Sequence, residues 1–434
     1  MYLNRPARRR SSPRRIVIYL ALIAAGLLFL RFQDDLRRPF VPTPTATRAA
    51  QSYVAEAQSL YEAGRLSAAI DAYTQAIALE PNRVDVLVSL SRILALTDRT
   101  DEALQRAQRA AQIDPRSAPA RAALAMAYNW RGTWLALHGR DAEATEHNQK
   151  ALSEAQQAAL LDPKYPEAYA YLAEVLIDLN DLAGAIDAAN KAEALAQEAR
   201  DAARLADRKP DPKLADAYRA LAYVREWRGN YLRAVEAYRT ALEIDPSVPY
   251  LWVALGRNYR VLGVLTDARY IKDAIAAFQH AIQIDSRYGP AYDELGWTHY
   301  NTQDYRQAVD ELEKAVQVDP NSWSAYGHLG TAYYSNRNYE GAAATLPRAI
   351  ELMNETFDAD RYCVNATSRA CDRLIEAYYT LGLADYYLCR CDQSEVLFNK
   401  ALVLRPDEPN ALEGLRLCRE ESSDTCREVE TPTP

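Results

Sequence analysis

Cysteine is absent from the first 362 residues of this 434-residue chain, and glycine (15) and phenylalanine (6) are scarce throughout. Alanine, by contrast, is abundant, and this balance argues for helices over a sheet-rich fold. No Gly-x-x-x-x-Gly-Lys-Ser/Thr, Gly-x-Gly-x-x-Gly or Gly-x-Ser-x-Gly motif occurs, so neither a phosphate-cradling loop nor a hydrolase elbow is encoded. The five histidines (His138, His147, His280, His299 and His328) form no His-x-x-x-His or Cys/His ligand pattern. The carboxylates are numerous but read as solvated helix faces. No cofactor, metal, small-molecule substrate or catalytic residue is therefore expected.

Charge is divided unevenly. Residues 1–38 hold nine arginines and two acids, whereas the remainder carries 42 basic and 57 acidic side chains. An acidic body of this kind repels phosphate backbones, which speaks against nucleic acid as the main partner.

The chain has one long hydrophobic run, Ile16 to Leu30, preceded by Arg5, Arg8, Arg9, Arg10, Arg14 and Arg15 and closed by Arg31. As a helix it spans roughly 22 Å, short of a hydrocarbon core of about 30 Å. Arg15 and Arg31 can snorkel outward, and Phe32 adds apolar length. Two readings fit: a signal anchor over 16–32 and a cleaved secretory signal peptide. The absence of a small-x-small site after the run favours the anchor. Arginines before the run outnumber those just after it, which keeps residues 1–15 cytoplasmic and places the body outside a cell membrane. Residues 33–49 are Pro/Thr-rich toward their end (Pro39 to Arg48) and read as a semi-rigid spacer. Residues 421–434, ending Thr431-Pro432-Thr433-Pro434, read as a tail.

From residue 50 the chain repeats. Pro81 and Pro115 are 34 residues apart, and Pro163, Pro246, Pro320 and Pro406 close comparable units. Small residues flank an aromatic before each stop: Ala69 and Ala76 around Tyr73, Ala234 and Ala241 around Tyr238, Ala274 and Ala281 around Phe278. An upstream signature recurs as Trp252-x-x-Leu255-Gly256-x-x-Tyr259, Tyr292-x-x-Leu295-Gly296, Tyr326-x-x-Leu329-Gly330-x-x-Tyr333 and Tyr378-x-x-Leu381-Gly382. Spacings of three and four put these groups on one helix face. The small residues admit a partner helix, and proline ends the second helix.

This pattern resembles the tetratricopeptide repeat family over nearly everything beyond the spacer. The resemblance implies an all-α, right-handed superhelical solenoid. About nine helix-turn-helix units start near residues 50, 84, 118, 166, 215, 249, 289, 323 and 375 in an array over 50–420. A half-unit from Asn410 caps the array, and one transmembrane helix precedes it. Extra residues fall around Thr133–Lys150, Ala192–Leu205 and Gly263–Ile271, with a longer insert over 354–374.

All six cysteines follow residue 362: Cys363, Cys371, Cys389, Cys391, Cys418 and Cys426. In a body placed outside the cytoplasm they suggest disulfides, with Cys363–Cys371 inside the insert and Cys389 and Cys391 reaching Cys418 and Cys426. Free thiols and a metal site are the alternatives, though no histidine lies nearby. Asn365-Ala366-Thr367 fits the N-glycosylation pattern.

In the family the first helices line a concave face that contacts ligands. Carried onto this chain, the resemblance implies partner-binding roles for Arg219, Tyr223, Tyr250, Arg257, Arg260, Trp297, Tyr300 and Tyr334. Glu226, Asp293, Tyr379 and Tyr386 lie beside them. Aromatics with arginine are what interface hot spots favour, and packing between neighbouring helices is the competing role for each tyrosine. The expected function is a membrane-tethered scaffold that binds a protein or peptide, with assembly of an envelope complex as its use. A structural spacer and an accessory subunit of a membrane enzyme are the alternatives.

Overall fold

A computed structural model describes residues 12–37, 48–364 and 368–420. The tail, residues 38–47 of the spacer, Cys426 and the Asn365-Ala366-Thr367 triplet lie outside them. The chain divides into two units, Met1–Ala49 and Ala50–Pro434. The first contains one helix, α1 (Pro13–Arg37). Its apolar stretch runs Pro13–Arg31, 19 residues at a mean hydropathy of 1.8. Folding the flanking arginines into the helix lengthens it toward the about 30 Å of a hydrocarbon core. Its length and composition suit a membrane span or a signal sequence.

The second unit is all helix, with no strand among the described residues. Nine antiparallel pairs follow one another: α2 (Ala50–Glu62) with α3 (Leu66–Leu79), α4 (Val84–Leu96) with α5 (Thr100–Ile113), and α6 (Ala118–Leu137) with α7 (Asp141–Leu161). Next come α8 (Pro166–Asp178) with α9 (Leu182–Leu205), α10 (Ala215–Trp227) with α11 (Tyr231–Ile244), and α12 (Pro249–Leu265) with α13 (Arg269–Ile284). The last are α14 (Gly289–Asn301) with α15 (Tyr305–Val318), α16 (Trp323–Ser335) with α17 (Tyr339–Phe357), and α19 (Arg369–Tyr387) with α20 (Cys391–Leu404). A short α18 (Ala359–Tyr362) precedes the ninth pair and α21 (Pro409–Glu420) caps it.

Eight of the nine hairpins are closed by the same local chemistry, the α12–α13 hairpin being the exception. A left-handed residue ends the first helix at Gly64, Asp98, Gly139, Asn180, Gly229, Gln303, Arg337 and Cys389. In the first hairpin Gly64 N–H donates to Tyr61 O and Arg65 N–H to Leu60 O, which satisfies the last carbonyls of α2. Asp181, Asn230, Asp304 and Asn338 then cap the next helix, their side chains accepting from a backbone N–H three residues on. Within a pair, the Leu-Gly signature sets the contact distance. A Cβ on Gly256 would lie 2.5 Å from Phe278 of the partner helix, so only glycine lets that ring seat. Phe278, Ala274 and Ala281 are fully or almost fully buried there.

The lengthened segments mostly extend helices. α6 and α7 run 20 and 21 residues and α9 runs 24. The extra residues near 263–271 are divided between two helices and the turn that joins them. Residues 263–265 extend α12, 266–268 make the turn and 269–271 begin α13. The insert over 354–374 finishes α17, forms α18 and begins α19, so the ninth pair starts at Arg369.

Successive coils of the array touch. Gly64, in the first hairpin turn, packs on Ile284 at the end of the sixth pair. Asp98, in the second turn, is pushed up to about 6 by burial and by Asp319, just after the seventh. Gly139, in the third turn, packs on Phe357 and Tyr362, at and beyond the end of the eighth. Each of the first three turns thus meets the end of the second helix five pairs further on.

Candidate functional site

From α4 to α10 and again from α12 to α19, the first helices of neighbouring pairs contact one another and form the inner face. Its first half is filled by its own side chains. Arg92 Nε donates to Asp216 Oδ2 at 2.7 Å and its Nη1 to Tyr61 Oη at 2.6 Å. Tyr61 donates to Asp245 at 2.5 Å and Tyr171 to Asp216 at 2.8 Å. Arg219 pairs with Glu174 at 2.5 Å and lies over the Trp130 ring at 5.2 Å. Burial alone would raise Asp216, but Arg92 and Arg219 outweigh it and hold the carboxyl at about 2. Burial pushes Glu174 up to about 7 against the pull of Arg219, and likewise Glu167.

This network decides the place of several residues expected to meet a partner. Arg219 is 3 % exposed and neutralised, so it presents no charge to an incoming group. Tyr223 is half-buried and donates to Asp178 at 3.0 Å, a carboxylate that also accepts from Asn129 and Thr133. Tyr250 packs on Trp130 with ring centroids 5.2 Å apart. Glu226 accepts from Tyr238 and Asn258. In each case a side chain from another helix of the array occupies the space a ligand would need.

Arg257 and Arg260 converge on Glu294, at 2.5 and 2.6 Å. Burial would raise Glu294, but the two guanidiniums hold it at about 2. Arg257 remains exposed at its outer edge, while Arg260 is half-buried.

Beyond this pair the inner face opens onto rings. Trp297 stacks on Tyr300 at 4.6 Å and on His328 at 4.2 Å, and Arg373 lies over the indole at 4.6 Å. His328 is held by Asp293, Nδ1 to Oδ1 2.6 Å, and is buried against the indole. Tyr334 meets Tyr339 at 5.8 Å and Tyr387 at 6.3 Å, and Tyr387 is 50 % exposed. Tyr300 accepts from Ser335 at 3.3 Å. Tyr379 is half-buried near Tyr300, and Tyr386 is buried. The structure therefore brings Trp297, Tyr300 and Tyr334 onto one partly exposed face of α14, α16 and α19. It adds His328, Arg373, Tyr339 and Tyr387, which the repeat pattern did not point to. His328 sits directly before a Leu-Gly pair, and Arg373 lies upstream of the last copy of the signature, which begins at Tyr378. Neither falls on a consensus position.

Cys363 and Cys371 are bonded across eight residues and buried. Cys389 is also disulfide-bonded. Cys391 and Cys418 are thiols that hydrogen-bond each other.

Tandem helical hairpins stacked with their first helices inward define a solenoid of the protein-interaction class. Family models described as tetratricopeptide repeat match residues 136–200 and 294–354, 60–127, and 214–248. The chain belongs to the tetratricopeptide repeat family. No curated protein matches it significantly. Among solved structures, the human IFIT1 dimer with PPP-AAAA aligns at 18 % identity over 85 % of this chain and 82 % of that one, TM-score 0.55. The C-terminal part of a repeat protein from Cytophaga hutchinsonii aligns at 16 % identity over 66 % of this chain and 98 % of that one, TM-score 0.42. A thermophilic repeat protein of Thermus thermophilus aligns at 21 % over 48 % and 98 %, TM-score 0.39. The likeness is one of fold.

Proposed function

We propose that this chain is a membrane-tethered scaffold whose array captures a protein or peptide partner on the aromatic face of α14, α16 and α19. The observation that carries the reading is the grouping of Trp297, Tyr300, Tyr334 and Tyr387 with Arg373 on a partly exposed inner surface. Tryptophan, tyrosine and arginine dominate binding hot spots because they bury much area at little entropic cost. The filled inner face of the first half favours a structural role for that part, as a stiff spacer between membrane and site. The reading assigns residues 1–15 to the cytoplasm, 16–32 to the span, 33–49 to a linker, 50–420 to an array outside the cell membrane and 421–434 to a tail. It gives the chain no catalysis of its own, and assembly of an envelope complex is the use it fits.

Affinity purification from gently solubilised membranes tests it. Wild type should retain a partner that the Trp297→Ala, Tyr334→Ala double variant loses while staying folded. A partner held equally by both would move the site elsewhere.

A further inference from the structure

The outer side of the array carries an open cleft of about 550 Å³ between α11 and α13, floored by α12. Such a volume is within the range of ligand sites, about 300–1,000 Å³. It exists because α13 turns Ala276 and Ala277 toward it, where larger side chains would close the gap. The corresponding groove between α3 and α5, about 380 Å³, is lined by Gln105, Gln108, Gln112 and two arginines and has no aromatic floor.

In the α11–α13 cleft the floor is aromatic at both ends. Trp252 lies at one end, its ring 4.7 Å from that of His280, and its Nε1 is fixed by Pro246 O at 3.0 Å. Tyr259 lies at the other, stacked on Tyr270 at 5.9 Å. Seven residues of α12 separate them, about 10 Å of helix rise. One carboxylate stands on each wall, Glu243 on α11 and Asp273 on α13, against one guanidinium, that of Arg239. Because α12 runs antiparallel to both neighbours, Glu243 falls at the Trp252 end and Asp273 at the Tyr259 end. Glu243 is held only loosely, 3.7 Å from Arg200, and its side chain is 70 % exposed.

We infer that this cleft binds a protonated alkylamine, its ammonium over Trp252 beside Glu243 and its methylene stem along Ala276 and Ala277. An indole face attracts a cation through its quadrupole, and a neighbouring carboxylate adds a charge-assisted hydrogen bond. The apolar floor suits the stem of such a group and not a compact ion. The ammonium belongs either to a lysine of a partner segment or to a free polyamine. The site is on the opposite side from Trp297 and stands or falls independently of the inner face.

The test is ¹⁹F spectroscopy of the full chain labelled with fluorotryptophan, the Trp252 signal assigned by Trp252→Phe. The ligands are acetyl-Gly-Lys-Gly-amide, the same peptide with norleucine for lysine, and spermidine. The lysine peptide should move the Trp252 signal saturably and leave the Trp297 signal in place, and the norleucine peptide should not. Glu243→Gln, at an exposed position, should weaken the response to the lysine peptide about threefold, as expected from losing one exposed charge contact, and Asp273→Asn, at the far end, should leave it unchanged. A response to spermidine without one to the lysine peptide would assign the site to free amines. A Trp252 signal that no amine moves, or that norleucine moves equally, would overturn the inference.

Discussion

Tyr362 donates a hydrogen bond to Asp141, 221 residues earlier in the chain, at 2.7 Å. The two residues come from two departures from the repeat length, the long third hairpin and the disulfide-bearing segment after the eighth. Gly139 packs beside them on Phe357 and the Tyr362 ring. Each extension thus has a packing partner in the other, and together they join adjacent coils of the superhelix.

Replacing Gly139 by alanine should therefore cost more than replacing Tyr362 by phenylalanine. Gly139 is left-handed, φ +66°, with Phe357 3.0 Å from where a Cβ would sit. Strain of about 1–2 kcal/mol follows from the backbone alone, against about 0.5–1.5 kcal/mol for one hydrogen bond. Both variants should speed amide exchange at residues 138–141 and 357–362 together. Faster exchange on one side only would contradict the contact.

The buried network around Asp216 should be intolerant of losing one partner. Asp216→Ala leaves Arg92 with only the more distant Asp245, at 3.6 Å, and Arg219 with only Glu174, where both guanidiniums are almost wholly buried, and breaking a buried pair of this kind costs about 3–5 kcal/mol. Denaturant unfolding should show the loss, and Arg257→Ala, at an exposed position, should not reproduce it.

Stability should fall as pH rises through neutrality. Burial raises Glu167 and Glu174 to about 7 from the ordinary 4.5. The folded array then holds more protons than the unfolded chain between those values, so their contribution is complete below about 4.5 and lost by about 7. Asp216 and Glu294, held near 2, act oppositely and cost stability only in strong acid. Thermal unfolding should give a higher midpoint at pH 5 than at pH 8, and Glu167→Gln should flatten the difference.

Alkylation without reductant should separate the cysteines. Cys363 and Cys371 should stay unmodified in native and denatured protein. Cys418 is buried and pushed up to about 12 by that burial and by Cys391. At pH 8 the native chain should therefore label at the more accessible Cys391 first and at Cys418 only on unfolding.

The repeat pattern carried the hairpins into view because its signals are local. Leu295-Gly296, Ala308 and Leu312 lie within one pair, and their spacing alone fixes which faces meet. Arg219 shows where this stops. Its position on the first helix is that of a groove residue, yet its partners are Glu174 and Asp216, and the Arg92 that shares Asp216 lies 124 residues from that carboxylate. Which inner side chains touch depends on how tightly the superhelix winds. That winding is set by many small packing choices at once and leaves no spacing in the sequence. Trp297, Tyr300 and Tyr334, which the repeat register points to, lie where the inner face remains open. Arg373 was not legible, since it belongs to a segment outside the repeat register.

Site-specific photocrosslinking in intact membranes tests the proposed binding face most directly. A benzophenone placed at Tyr300 or Tyr334 should yield one discrete adduct, abolished by Trp297→Ala, while the same group at exposed Leu160 yields none. Equal adducts from Leu160, or none from either tyrosine position, would contradict the assignment of partner binding to α14, α16 and α19.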